Sequence, residues 1–274
     1  MNVPSSPCHR IPTGVHCMKK LLPLVLTLAA CSSQAAIGLT TDEPSYTQDF
    51  DSLTTAGSFS LEGWSLLSSN SSTVVETIGL STGSNGTTAG FYSFGASGGT
   101  DRALGAIPTN AFAGAAGVGH VSMALALSNA TGQSLDSFTV SYDGEQWRNQ
   151  NTAAHVLKLQ YGFGTNYADV SFVDTGFDFS SPQFGGTASL LDGNLAVNRQ
   201  ADIGGTVTLS SGWAAGQTLW LRWFDLNNAG NDHLLAIDNV SLSVSPVPEP
   251  ETYALMLAGL GAIGLMARRR RQGA

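Results

Sequence analysis

The body of this 274-residue chain has no cysteine, and it has few basic side chains. The three cysteines, Cys8, Cys17 and Cys31, all lie near the N-terminus. A body without thiols excludes internal disulfides, a zinc–thiolate site and a cysteine nucleophile. From residue 37 to residue 246 there are five Lys or Arg against eighteen Asp or Glu, a net charge of −13. Because phosphate binding needs clustered basic groups, this composition argues against nucleic acid as a partner and favours solubility.

Long apolar runs are confined to the two ends of the chain. Near the front, Met18-Lys19-Lys20 precedes an apolar run over residues 21–30, which is followed by small residues. This order is that of a secretory signal peptide, and we assign the region 1–36 to it. A signal that began at Met18 would have an ordinary shape, which indicates that residues 1–17 come from an over-called start codon.

Two processing sites fit the end of this signal. Ser33-Gln34-Ala35 offers small residues to ordinary signal peptidase, which would start the mature chain near Ala36 or Ile37. Leu28-Ala29-Ala30-Cys31 resembles a bacterial lipobox, in which Cys31 would be lipidated. We favour ordinary cleavage because a second anchor is present at the other end of the chain.

The C-terminal segment contains a short motif, an apolar run and a basic block in that order. Pro248-Glu249-Pro250 precedes an apolar run over residues 253–267, and Arg268, Arg269, Arg270 and Arg271 follow. Fifteen helical residues span roughly 22 Å, so snorkelling arginines and bilayer thinning would be needed to match a hydrocarbon core of about 30 Å. The pattern predicts a single transmembrane helix with its arginines in the cytoplasm and the body of the protein outside.

This ending resembles the PEP-CTERM sorting signal of Gram-negative bacteria, which we place at residues 246–274. The resemblance implies recognition by an exosortase and cleavage near Pro248-Glu249-Pro250. It also implies an association with exopolysaccharide and biofilm production. It concerns sorting and does not identify what the exported domain does.

Apolar and polar residues alternate through the body, as they do in half-buried strands. Examples are Val121, Met123, Leu125 and Leu127, and then Phe138, Val140 and Tyr142. Pairs such as Asp143-Gly144, Asp192-Gly193 and Asn85-Gly86 indicate turns, and a phase change at Asp238-Asn239 indicates a bulge. Many short strands without helices predict an all-β, antiparallel two-sheet sandwich over residues 37–245.

The two ends of this body resemble the first and last strands of jelly-roll carbohydrate-binding modules. The segments are Gln48 to Leu53 with Gly63-Trp64, and Ala236 to Leu242. By that resemblance, Asp51 and Asp238 would share a structural calcium ion, the one cofactor we consider. Oxygen ligands suit calcium, although an Asp that caps a turn at position 238 is nearly as good an explanation.

No catalytic motif stands out in the sequence. Glu145 with Asp143 or Asp225 could be nominated as a glycosidase pair, but nothing distinguishes them from ordinary loop acids. His120, His155 and His233 are far apart and lack metal-ligand spacing, so we interpret them as surface or strand-end residues. We therefore expect no enzymatic activity, and a secreted hydrolase is the least favoured alternative.

Aromatic side chains suggest glycan binding as an alternative function, because exposed rings stack on sugars. The candidates are Trp147, Trp213, Trp220 and Tyr92, and Trp147 with its neighbour Arg148 is the first choice. Trp64 and Trp223 are expected to lie in the core. Our leading interpretation is a non-catalytic protein exported by the Sec pathway. An exosortase and the membrane would be its partners, with exopolysaccharide as a further candidate, and its destination would be the cell surface or matrix.

Overall fold

The computed structural model describes residues 35–71, 74–245 and 255–263. Its strands are β1 Ile37–Leu39, β2 Ser45–Gln48, β3 Gly57–Ser58, β4 Trp64–Ser68, β5 Val74–Val75, β6 Thr77–Ser81, β7 Gly90–Phe94, β8 Ala103–Ile107, β9 His120–Asn129, β10 Leu135–Asn149, β11 Val156–Phe163, β12 Val173–Asp174, β13 Phe179–Ser180, β14 Ser189–Leu190, β15 Arg199–Trp213, β16 Thr218–Leu226 and β17 Leu234–Ser243. A short helix, α1, spans Asn110–Ala113, a 3-10 turn spans Tyr167–Asp169, and a further helix covers 255–263.

The described strands form two sheets that pack as a sandwich. One sheet has the order β12-β11-β16-β9-β4-β5, with β1 parallel to β9 and β13 beside β11. The other has the order β14-β10-β17-β8-β7-β6-β3, with β15 beside β10 and β2 beside β17. Most pairings are antiparallel, and the exceptions are β1 with β9 and β6 with β7. The predicted all-β two-sheet architecture is confirmed.

The core lies between the inner faces of the sheets, where the alternating residues place their apolar side chains. On β9 the residues in the main core are Val121, Met123, Leu125 and Leu127, as the alternation predicted, while Ala124 and Ala126 are buried in a separate apolar cluster. Trp64 of β4 stacks on Trp223 of β16 with ring centroids 5.5 Å apart, and both are fully buried. The prediction that these two tryptophans belong to the core is confirmed.

The predicted turn at Asp143-Gly144 is wrong, because β10 continues through it to Asn149. The glycine serves close packing: a Cβ at Gly144 would lie 2.2 Å from Cγ of Phe179. The turns at Asn85-Gly86 and Asp192-Gly193 and the bulge at Asp238-Asn239 are present. At that bulge Asn239 has a φ of 49°, which lets β17 keep its pairing with β10 on both sides.

None of the described helices is both long enough and apolar enough to cross a membrane. The helix over 255–263 covers part of the apolar run predicted to be a transmembrane segment. Several predicted features lie outside the described residues: the signal peptide, Cys31, Pro248, Glu249, Pro250 and Arg268 to Arg271.

Candidate binding cleft

A polar cleft of about 260 Å³ opens at one end of the sandwich. It is formed by the segment after β8, the loop between β16 and β17, and the chain just beyond β10. We call it the amide cleft, because side-chain amides dominate its lining, which comprises Thr87, Ile107, Pro108, Thr109, Asn110, Ala116, Gln150, Asn227, Asn228, Gly230, Asn231 and Asp232. It lies at the Leu234 end of β17, whereas the chain leaves the sandwich after Ser243, at the other end of that strand.

Hydrogen bonds between side-chain amides and loop backbones hold the walls of the amide cleft. Asn227 Nδ2 donates to Oδ1 of Asn110 at 2.8 Å and to the carbonyl of Gly114 at 2.6 Å. Gln150 Nε2 donates to the carbonyls of Gly86 and Asp232. The cleft is therefore preformed, because each wall is bonded to another segment of the chain.

Behind the amide cleft lies a buried cluster of two histidines and two aspartates. Nδ1 of His155 lies 3.4 Å from Oδ1 of Asp232, and the rings of His155 and His233 lie 4.5 Å apart. Asp225 of β16 and Asp232 interact electrostatically. All four side chains are almost inaccessible to solvent.

The hydrogen bonds of this cluster indicate neutral histidines. His233 Nδ1 accepts the backbone N–H of Gln150 at 3.1 Å, and its Nε2 lies 3.0 Å from the carbonyl of Ala153, which requires a proton on Nε2. His155 Nδ1 accepts the backbone N–H of His233 at 3.2 Å. Burial lowers the pKa of His155 to about 4, with a further contribution from His233, and burial also lowers the pKa of His233.

Burial has the opposite effect on the two aspartates, because it disfavours their charged form. It raises the pKa of Asp232 to about 6, against two hydrogen-bonding contributions from Asn228 that lower it. Burial and the neighbouring Asp232 raise the pKa of Asp225 well above its usual range, and its Oδ2 has no hydrogen-bond partner among the described residues. Burial therefore favours the neutral form of both carboxyls relative to an exposed aspartate.

His155 and His233 lie at strand ends, directly before β11 and β17, as one of the two predicted placements has it, but they are buried and adjacent and not separate surface residues. The β10–β11 and β16–β17 connections meet at the same end of the sandwich, and that meeting places the two rings together. Only the third histidine, His120, is partly exposed, and it stacks on Phe224 with centroids 4.4 Å apart. No sequence spacing could have revealed the pair, because 78 residues separate its members.

A second group of carboxyls surrounds Asp238 on the β10–β17 pair. Asp238 and Glu145 are both buried, and burial raises their pKa values to about 8 and about 7 respectively. Oε2 of Glu145 accepts the indole N–H of Trp147 at 3.0 Å, while its Oε1 is buried without a partner in the described residues. Oδ1 of Asp143 accepts the backbone N–H of Asp202, and Oδ2 of Asp143 lies 3.8 Å from Nη1 of Arg199.

These positions do not favour the nominated glycosidase pair. Glu145 is 1 % exposed and Asp225 2 % exposed, so neither faces open solvent. They also lie on different sheets, Glu145 on β10 and Asp225 on β16. The two carboxyls therefore do not flank an accessible cleft as glycoside hydrolysis requires.

The predicted calcium ligands are placed differently from one another. Asp51 is exposed, and its Oδ1 accepts the backbone N–H of Arg102 at 2.9 Å, whereas Asp238 is buried and bonded to Asn239. Within the described ranges, no group of three or more His, Cys, Asp or Glu side chains is arranged to hold a metal ion.

The four aromatic side chains suggested for stacking on sugars are buried, whereas that suggestion assumed exposed rings. Trp147 is 1 % exposed, Trp213 0 %, Trp220 3 % and Tyr92 6 %. The ring of Trp147 stacks on Phe94 at 6.0 Å inside a small apolar cluster. Its neighbour Arg148 is half-buried and donates to Gln150 Oε1 and to the carbonyl of Gly83. Alternation alone cannot separate Trp147 and Trp220 from surface residues, since each is buried in a small apolar cluster separate from the main core.

The two sheets form an all-β sandwich domain. A C-terminal segment follows this domain directly in the sequence. That segment, residues 246–271, matches the PEP-CTERM protein-sorting motif. The chain therefore carries the sorting signal of PEP-CTERM proteins, which implies an exported, envelope-associated protein that is processed by an exosortase. The predicted family resemblance is confirmed.

Solved structures with a similar arrangement share little sequence with this chain. The CBM22-1 xylan-binding domain of Paenibacillus barcinonensis Xyn10C is 10 % identical, with a TM-score of 0.37 over 74 % of this chain and 95 % of that one. The K3 cleaved adhesin domain of Lys-gingipain from Porphyromonas gingivalis is 12 % identical, with a TM-score of 0.40 over 72 % and 98 %. No curated protein matches the sequence.

Proposed function

We propose that this protein is a non-catalytic component of the cell surface or extracellular matrix, associated with exopolysaccharide. It is exported by the Sec pathway, held in the membrane by its C-terminal segment, and cut by an exosortase near Pro248-Glu249-Pro250. The observation that carries the proposal is the sorting motif at residues 246–271, which begins three residues after β17 ends at Ser243. So short a spacing keeps the sandwich close to the membrane until the cut releases it.

Fractionation with intact-mass analysis tests this route. We expect the wild-type chain to lose its C-terminal segment and to be recovered at the surface or outside the cell. A variant in which Pro248, Glu249 and Pro250 are all replaced by alanine should remain in the membrane fraction at its untrimmed mass. Replacement of the exposed Ser245 alone is the matched control and should be processed normally. Recovery of the untrimmed wild-type chain as a soluble cytosolic species would contradict the proposal.

The amide cleft supports a second candidate function, the binding of a polyhydroxylated ligand such as a glycan. Amide and carboxyl groups donate to and accept from sugar hydroxyls, and a preformed cleft lowers the entropic cost of binding. The cleft lies at the end of β17 opposite the exit of the chain towards the sorting motif. A ligand could therefore reach it while the precursor is still anchored.

A blocking substitution separates this function from a passive structural role. Ala116 is exposed and lines the amide cleft, so Ala116→Arg should fill the cleft without disturbing the core. We expect it to abolish retention of the exported chain on polysaccharides that bind the wild type. Ala214→Arg, at an exposed turn outside the lining, is the matched control. Equal retention of all three proteins, or no retention of the wild type on any glycan tested, would remove the glycan-binding function and leave the sorting route untouched.

A further inference from the structure

Arg102 differs from the other basic side chains of this acidic domain because, among the described residues, it is the one with a buried guanidinium nitrogen that lacks a hydrogen-bond partner. Lys158 pairs with Asp174 at 3.1 Å, and Arg199 lies 3.8 Å from Asp143. Among the residues that the structure describes, no carboxylate oxygen lies within ion-pair distance of the Arg102 guanidinium. Arg148 and Arg222 also have no carboxylate partner, but each of these guanidinium groups donates to two acceptors: Gln150 and Gly83 for Arg148, and Gln160 and Tyr167 for Arg222.

The hydrogen bonds of the Arg102 guanidinium are incomplete. Nη2 donates to the carbonyl of Gly99 at 3.1 Å, while Nε is buried without a hydrogen-bond partner in the described part of the chain. The absence of a side chain at Gly95 makes room for this group, since a Cβ there would lie 2.6 Å from Nη1. A half-buried guanidinium that lacks an anion loses hydration without full compensation.

Arg102 lines a second cleft, of about 230 Å³, at the end of β6 and the turn that follows β7. Its polar lining consists of hydroxyl groups and this one cation: Ser81, Thr82, Ser84, Ser97 and Arg102. No carboxylate is part of the lining. We call it the Arg102 cleft.

Two acidic residues lie close to Arg102 in the sequence or the fold, and neither neutralises the guanidinium. Asp51 accepts the backbone N–H of Arg102. Burial raises the pKa of Asp101, and the negative charge of Asp51 raises it further. Smaller effects come from Arg199, which lowers this pKa, and from Asp192 and Asp143, which raise it. Neither carboxylate lies within ion-pair distance of the Arg102 guanidinium in the described part of the chain.

We propose that the Arg102 cleft binds an oxyanion, with the guanidinium supplying charge and the serine and threonine hydroxyls supplying further hydrogen bonds. Guanidinium binds carboxylate, sulfate and phosphate groups through paired N–H donors. Such groups occur on acidic sugars and as free inorganic anions. The site is separate from the amide cleft and does not depend on the function proposed for it.

Calorimetric titration of the exported chain tests the proposal with three probes: oligogalacturonate, a neutral dextran oligomer and sodium sulfate. We expect oligogalacturonate to bind, with an affinity that falls as salt is added, and dextran not to bind at this site. Arg102→Gln should weaken binding by roughly tenfold or more, because a charge-assisted interaction is removed. Lys158→Gln, which removes one positive charge from an exposed ion pair elsewhere, should leave the affinity unchanged.

The outcomes separate the sources of the anion and decide the proposal. Tighter binding of oligogalacturonate than of sulfate would identify the carboxylate of an acidic sugar, and equal binding would identify a simple inorganic anion. Failure of both anions to bind, or an unchanged affinity in Arg102→Gln, would overturn the proposal. Ser97→Glu covers the case in which Arg102→Gln fails to fold, since Ser97 is exposed and Arg102 stays in place. It should weaken binding relative to Ser97→Gln, and equal affinity of these two variants would also count against the site.

Discussion

The imidazole rings of His155 and His233 lie 4.5 Å apart, and their tautomers are fixed by hydrogen bonds from two different loops. Each Nδ1 accepts a backbone N–H, so each ring is neutral with its proton on Nε2. Burial disfavours the charged form of both rings and lowers both pKa values. This arrangement fixes the end of the sandwich that carries the amide cleft, and it makes that end sensitive to acid.

We predict that His155 destabilises the fold as the pH falls. The pKa of His155 is about 4 in the folded chain against 6.5 when unperturbed, so between these values the unfolded chain binds a proton that the folded chain does not. His155→Asn keeps an acceptor for the His233 N–H and removes the titration. As the pH falls, the unfolding free energy of the wild type should therefore decrease relative to that of the variant, by up to about 1.4 kcal/mol per pH unit.

Urea denaturation at several pH values between about 7 and about 4.5 measures this difference. The carboxyls of Asp225 and Asp232 also titrate differently in the two states, but they are present in both proteins and largely cancel in the comparison. Parallel stability curves for wild type and His155→Asn would show that His155 is not held neutral by burial.

Asp238 should have the opposite pH dependence. Burial raises its pKa to about 8 from 3.8, so over that range the unfolded chain loses a proton that the folded chain keeps, and stability falls as the pH rises. Asp238→Asn should therefore gain stability relative to wild type between about pH 5 and about pH 8, as measured by thermal unfolding.

Melting temperatures measured with and without chelator distinguish a protonated Asp238 from an Asp238 that binds calcium. A buried, protonated Asp238 carries no charge for a cation, so on that account we expect the melting temperature to be the same with and without chelator. A melting temperature that falls with chelator in the wild type and not in Asp238→Asn would restore the calcium interpretation.

The sequence predicted the sandwich because burial on one face imposes a period of two, which is readable in segments such as Val121 to Leu127. It failed at Asp143-Gly144, where glycine accommodates the Phe179 ring and does not make a turn. A dipeptide pattern cannot distinguish these two uses of glycine. The sorting signal was fully predictable, because motif, apolar run and basic block are contiguous in the chain.

The candidate sites were less predictable because they depend on long-range contacts. His155 and His233 meet only through the topology, and Trp147 is buried because Phe94 and neighbouring residues of its apolar cluster pack around it. Arg102 gave no signal in the sequence, since the lack of an ion-pair partner is a property of the folded chain. Residue type could suggest chemistry at these positions, but it could not supply the environment.

Trp147 should contribute to stability and not to glycan retention. Trp147→Phe removes the indole N–H that bonds Oε2 of Glu145 and leaves both carboxyl oxygens of that buried side chain unpaired. We expect a loss of about 2–4 kcal/mol in unfolding free energy from this and from the smaller ring. Phe184→Leu, at a side chain that is 56 % exposed, should change stability by less than about 0.5 kcal/mol. Urea denaturation measures both, and loss of polysaccharide binding in a fully stable Trp147→Phe variant would reinstate the stacking role.

Two glycines with similar backbone conformations separate steric packing from conformational strain. Gly83 has a φ of 85° and Gly216 a φ of 77°, so alanine at either position incurs the cost of a left-handed conformation, about 1 kcal/mol. A Cβ at Gly83 would lie 2.1 Å from the carbonyl oxygen of Trp147, whereas nothing lies within 4 Å of one at Gly216. Gly216→Ala should therefore lower the unfolding free energy only by this conformational cost. Gly83→Ala should lower it by about 3 kcal/mol or more, because the backbone of β10 must also move. Thermal and urea unfolding of the two variants provide the comparison. Equal losses would mean that the turn over residues 84–87 does not pack against β10 as closely as the structure indicates.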